Sequence, residues 1–136
     1  FEYSSKMIFS LIIYASQTAS QSEQSALRFT RNALQQGHTF HRIFFYGDTV
    51  TSMSNLKITS RDEIDITDQW LELAKETDLD LVVCIAAAVK RGILDQQESK
   101  RHQKSAANLK EGFCLSGLGQ LADAIIHSDR VITFGN

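Results

Sequence analysis

The feature that most limits how this chain can fold is a repeated switch in its hydrophobic period. Short apolar runs, rich in β-branched and aromatic residues, alternate with longer stretches whose apolar residues recur every three or four positions. Ile8–Tyr14 is the first run, and its charge-free character suits a strand buried on both faces. After the small, polar segment ASQTASQSEQ, residues Ala26, Leu27, Phe29, Ala33 and Leu34 keep helical spacing. Ser20 and Glu23 match a capping box, and Gly37 stands where a helix C-cap is wanted, so a helix is predicted over 22–36.

The alternation continues. Arg42–Tyr46 reads as a second strand closed by Gly47–Asp48, and 49–61 as a polar loop. Asp62, Glu63, Asp65 and Asp68 crowd the entry to the next helix, where the macrodipole favours negative charge; Ile66, Trp70, Leu73 and Ala74 supply its apolar stripe. Asp80–Ile85 is a third strand that turns directly into a short helical piece over 86–91, stopped by Gly92. Residues 96–107 read as a solvated helix or mobile segment. Ser116 is expected to cap a last helix that buries Leu118, Leu121, Ala122, Ile125 and Ile126, and Val131–Phe134 is the closing strand. Apolar strands alternating with helices predict a single-domain three-layer α/β/α sandwich with a mainly parallel sheet. The domain is taken as 7–136, with FEYSSK ahead of Met7 set aside as a cloning remnant.

A chain of 136 residues can bury one proper core without staples. A net charge of −2 gives no global basic field, which argues against direct nucleic-acid binding. No apolar run approaches the roughly 18 residues of a membrane span. Cys84 and Cys114 are far apart, and His38, His41, His102 and His127 show no short ligand spacing, so neither a metal site nor a cofactor is expected. The expectation is a cytoplasmic protein with reduced thiols.

Cys84 is the first candidate for chemistry. Reactive groups in parallel α/β sheets gather at the carboxyl ends of strands, and Cys84 lies at such an end with a helix starting after it. Helix N-terminal amides, with Lys90 and Arg91 a turn or two on, would support the thiolate, the form that attacks a disulfide or persulfide sulfur. The competing reading is a small hydrophobe packed beside Val82, which the usual burial of free cysteine favours on residue statistics alone. Cys114 is either a resolving thiol or, more often for such a position, packing. Gly117–Ala122 matches GxGxxA, but a dinucleotide fingerprint should follow the first strand and be followed by an acidic residue on a second, so a tight loop entering a helix is preferred. The basic run Lys100–Lys104 suits a solvated face, and Phe44–Tyr46 suits sheet core rather than base stacking. Arg91 falls one residue beyond a Cx5R spacing from Cys84, and no GxSxG elbow is present.

Four segments, VCIAAAVKRGILD (83–95), RIFFYGDTV (42–50), DEIDITDQWLEL (62–73) and GFCLSGLGQLADAIIHSDRVITF (112–134), together resemble the TusD/DsrE family of sulfur-relay proteins. The resemblance runs in order along essentially the whole chain after Met7. It implies a small α/β fold and a sulfurtransferase in which one cysteine, matching Cys84, carries sulfane sulfur as a persulfide. It further implies TusC-like and TusB-like companions in a heterohexamer, a TusA-like donor, a TusE-like acceptor, and 2-thiouridine at the tRNA wobble position as destination. A DsrE-like role in sulfur oxidation uses the same chemistry. Two rivals stand beside it, a non-catalytic scaffold subunit and a nucleotide-binding module using Gly117 and Gly119. A chain expressed alone is expected to expose an apolar face or to form a homo-oligomer.

Overall fold

In the computed structural model, which describes residues 5–15 and 21–135, all the sheet pairings are parallel. The strands are β1 (Ile8–Tyr14), β2 (Thr39–Tyr46), β3 (Leu81–Cys84), β4 (Cys114–Ser116) and β5 (Arg130–Phe134), in spatial order β4-β3-β2-β1-β5. Helices α1 (Gln21–Gln35), α2 (Ile66–Thr77), α3 (Ile85–Lys90), α4 (Gln96–Arg101) and α5 (Leu118–Ile126) fill the connections, with a 3-10 segment at Gly47–Met53. The chain steps in one direction from β1 to β4 and then returns past β1 to β5. Right-handed crossovers therefore send α1 and α2 to one face and α5 to the other.

Side-chain parity agrees with that assignment. Phe9, Leu11 and Ile13 point to the α1/α2 face, where the Phe9 ring meets Phe29 of α1 edge-on at 5.3 Å. Register places Phe45 beside Ile13, and Phe45 meets the fully buried Trp70 of α2 at 5.5 Å. Arg42, beside Ser10, points the other way and bonds Gln120 and Asp123 of α5. Gly37 closes α1 at φ 90°, with the Gly37 amide donating to Leu34 and that of His38 to Ala33, as the sequence led us to expect of a C-cap.

Several local expectations need correction. Strand β4 was not foreseen, because three residues between two glycines carry too little pattern. It absorbs Ser116, so α5 is capped by Gly117 without a side-chain bond. The helix at 96–107 ends at Arg101, and the loop after Tyr46 begins as the 3-10 segment. Ser20 of the capping box lies outside the described residues. The largest difference concerns α5: Leu118, Ile125 and Ile126 are 63%, 55% and 76% exposed, and only Ala124 is buried. That stripe is real, but this chain alone does not cover it.

Asp65 joins three parts of the fold. It caps α2 by accepting from the Thr67 amide (2.9 Å), takes Lys57 Nζ at 3.0 Å, and lies 3.6 Å from Lys110 Nζ ahead of β4. Burial opposes its charge, but the Lys57 and Thr67 bonds and the two lysine charges outweigh it and hold the carboxyl at about 2. A depressed folded-state pKa adds stability above the unfolded value near 3.8, and that stability is lost as pH falls toward 2. Asp65→Asn should therefore cost about 2 kcal/mol at neutral pH in urea unfolding, with the gap from wild type closing between about pH 4 and pH 2. A gap independent of pH would mean that packing, not charge, makes the difference.

Candidate active site

Strand β3 is buried at every position, which its unbroken apolar sequence dictates, and it ends on Cys84. The chain leaves the strand with Cys84 still extended (φ −60°, ψ 118°), and Cys84 is itself the N-cap residue of α3. Three consecutive alanines let that helix start flush against the sheet: Ala87 and Ala88 are buried against the core and Ala86 faces outward. Gly92, at φ 78°, terminates it, with the Ile93 amide returning to Ala88 at 2.8 Å. Cys84 is 3% exposed and belongs to the core cluster with Val50 and Met53 of the 3-10 segment.

By parity Cys84 shares the α5 face of the sheet with Val82, which pairs with Phe44. Ser116 is its partner on β4, and one step beyond the Phe45–Val83 pair brings Tyr46, 46% exposed, level with it. Beside α3, Ile85, Ala86, Val89 and Lys90 form one wall of an open groove of about 480 Å³. Glu98 and Arg101 of α4, with its C-cap residue His102, form the other. The Glu98 side chain is only 7% exposed, with Arg101 at 3.7 Å and His102 at 3.4 Å, so a buried acid sits beneath a basic rim.

Lys90 and Arg91 lie at the far end of α3, about 9 Å from Cys84 at 1.5 Å per residue. Arg91 is engaged elsewhere: its Nε bonds Asp48 at 2.8 Å and its Nη1 donates to the Ala87 carbonyl at 3.0 Å, bracing α3 to the 3-10 segment. Among the described residues neither cation makes a hydrogen bond or ion pair to the thiol. Cys114 lies opposite Val82, two positions back from Cys84 on the neighbouring strand. Strand spacing puts the two Cα atoms about 8 Å apart, beyond disulfide reach without backbone movement; both cysteines are free, Cys84 buried and Cys114 exposed. Gly117 and Gly119 have no positive φ, and a Cβ on either would meet open space, so the fold itself does not require glycine at either position.

At the other end of the sheet, His41 and His127 converge on Asp123, a group that sequence spacing did not reveal. The partners His41 and Asp123 are 82 residues apart, and only the packing of α5 on β2 brings them together. Among the described residues, no helix is long and apolar enough to cross a membrane.

Comparison with known proteins gives this geometry a family. Residues 7–134 match the DsrE/DsrF-like family model. The chain is 42% identical to a protein of Vibrio parahaemolyticus named a sulfurtransferase TusD homolog, over 94% of this chain and 98% of that one. It is also 42% identical to a DsrE protein of Allochromatium vinosum, over 96% of this chain and 100% of the other. Among solved structures, the ychN protein from E. coli superposes with a TM-score of 0.71 at 20% identity, covering 93% of this chain and 97% of that chain, which establishes likeness of fold. The extent of these matches, in sequence and in sheet architecture, makes the chain a member of the DsrE/DsrF-like family.

Proposed function

We propose that this protein is a sulfur-relay sulfurtransferase that carries sulfane sulfur as a persulfide on Cys84. The observation that carries this reading is the position of Cys84, the last residue of β3 and the N-cap of α3, inside a chain whose relatives bear the names TusD and DsrE. The step is thiol–persulfide exchange. The Cys84 thiolate attacks the outer sulfur of a donor persulfide, a new S–S bond forms on Cys84, and the donor leaves as its thiolate. An acceptor thiolate then attacks that outer sulfur, and Cys84 leaves as a thiolate in turn. No net oxidation occurs, so no redox cofactor enters.

Burial of Cys84 suits storage, because a persulfide there is screened from free thiols until a partner docks. The proposed donor is a TusA-like carrier, the acceptor a TusE-like one, and the destination 2-thiouridine in tRNA. Lys90, at the end of α3, is proposed to favour an incoming persulfide anion at long range, while Arg91 holds α3 in place through Asp48. Identity to the TusD homolog and to the DsrE protein is equal at 42%, which keeps a sulfur-oxidation relay as the second reading. Reconstitution with each type of acceptor separates the two.

The exposed stripe of Leu118, Ile125 and Ile126, with Tyr14 and Tyr46 at the carboxyl edge, is proposed as the surface that TusC-like and TusB-like subunits cover. Ile126→Asp should change the chain's own stability by no more than about 0.5 kcal/mol. It should weaken co-purification with such companions at least tenfold, roughly the loss of one buried anchor. Unchanged assembly would place the interface elsewhere.

The direct test is mass spectrometry after incubation with a persulfidated TusA-like carrier. One added sulfur should appear on the Cys84 peptide, and none in Cys84→Ser or Cys84→Ala. Cys114→Ser should retain at least about half of the transfer rate, a change within the scatter of surface substitutions. Sulfur loading that survives Cys84→Ala would remove Cys84 from the role, and a folded chain that never loads would favour the scaffold reading.

A further inference from the structure

We infer that His41, Asp123 and His127 form a binding site for a zinc-class divalent cation at the end of the sheet opposite Cys84. The three side chains offer ligand atoms that all lie within 4.8 Å of one another. His41 Nε2 is 2.9 Å from Asp123 Oδ2, and His127 Nδ1 is 3.0 Å from Asp123 Oδ1. In a tetrahedral zinc site with bonds of 2.0–2.1 Å, neighbouring ligand atoms are about 3.3 Å apart. The His127–Oδ1 separation is therefore already close to what a cation needs, and His41 Nε2, which sits on the other carboxylate oxygen, would have to turn toward Oδ1. The remaining adjustment falls on side chains with room to turn, since those of His41, Asp123 and His127 are 30%, 39% and 57% exposed.

The donor set is also right. Two imidazoles and one carboxylate suit zinc, nickel and copper rather than calcium or magnesium, which prefer oxygen. His41 comes from β2 and His127 from the C-cap of α5, and their rings stack at 5.3 Å. Asp123, one turn before His127, faces both.

Arg42 does not spoil the site. Its Nη1 donates to Asp123 Oδ2 at 2.9 Å, and its Nε donates to Asp80 at 2.8 Å. One guanidinium and two carboxylates leave one net negative charge when both imidazoles are neutral. Arg42 grips Oδ2, which leaves Oδ1 to ligate and fixes the carboxylate from behind, the common arrangement for a metal-bound acid. Water completes the coordination on the open side. Five residues along β2 separate His41 from the level of Cys84, about 16 Å at 3.3 Å per residue, so the cation takes no part in sulfur transfer. It would instead fasten the last turn of α5, the helix least covered by its own chain, to the sheet.

Thiols also bind zinc, so the test uses tag-free Cys84→Ser/Cys114→Ser protein titrated with zinc chloride by calorimetry, with thermal unfolding in parallel. One zinc per chain and a raised melting temperature are expected, with affinity falling at least about tenfold in His127→Ala. His127 is exposed and bonds only Asp123, so that variant keeps the fold. His102→Ala, at the C-cap of α4, should bind as its parent does. Absence of stoichiometric binding, or binding that survives His127→Ala, overturns the site and reduces the cluster to hydrogen bonds between α5 and β2.

Discussion

Strand β1 is hydrogen-bonded along both edges, to β2 from Ile8 to Tyr14 and to β5 from Phe9 to Ile13, and both neighbours run parallel to it. Parallel strands cannot be joined by hairpins, so each pairing forces the chain over a face of the sheet. Handedness then decides which face. The residues that make this pairing obligatory are Leu11, Ile13, Ile43 and Phe45, each fully buried and each contributing about 1.5–3 kcal/mol by leaving water. With three crossovers in one direction and one in return, α1 and α2 share a face and α5 has the other to itself. The imbalance between the two faces is thus a consequence of strand order.

Much of this was legible in the sequence. The apolar runs at Ile8–Tyr14 and Leu81–Cys84 are long or pure enough to declare strands, and the Gly37 and Gly92 stops follow from the backbone conformations those positions require. Cys84 at a strand end followed by helix could be read as well, because its placement depends only on local pattern. What escaped depends on distance or on counting neighbours. Strand β4 is three residues long and is a strand only because β3 lies beside it. The stripe on α5 has the right period, but period says which residues share a face, not whether anything covers it. His41 and His127 belong to elements far apart in sequence, and nothing local marks them as partners.

The candidate site holds two demands in tension. If Cys84 carries the proposed persulfide, that sulfur must be shielded and yet stay within reach of a donor and an acceptor. Cys84 is nearly inaccessible as a thiol, and a persulfide there would set the reactive sulfur about 2 Å beyond Sγ. The alanines of α3 keep the adjacent turn slim: Ala86 faces outward with no side chain beyond Cβ, while Ala87 and Ala88 are buried. The Arg91–Asp48 pair keeps the helix from drifting away. The first turn of α3 thus stays thin without becoming loose, which suits the proposed transfer from a buried sulfur.

The uncovered face and the candidate site are parts of one surface. Parity puts Cys84, Val82 and Ser116 on the α5 side of the sheet, the side where Tyr46 and Cys114 are exposed and where α5 leaves its apolar stripe open. A subunit that buried that stripe near Leu118 would stand next to the end of β3. It would lower the local dielectric around Cys84 and narrow the approach for small thiols. In the proposed assembly, apolar burial and protection of Cys84 would come from the same contact, which would be a physical reason for leaving α5 half-covered by its own chain.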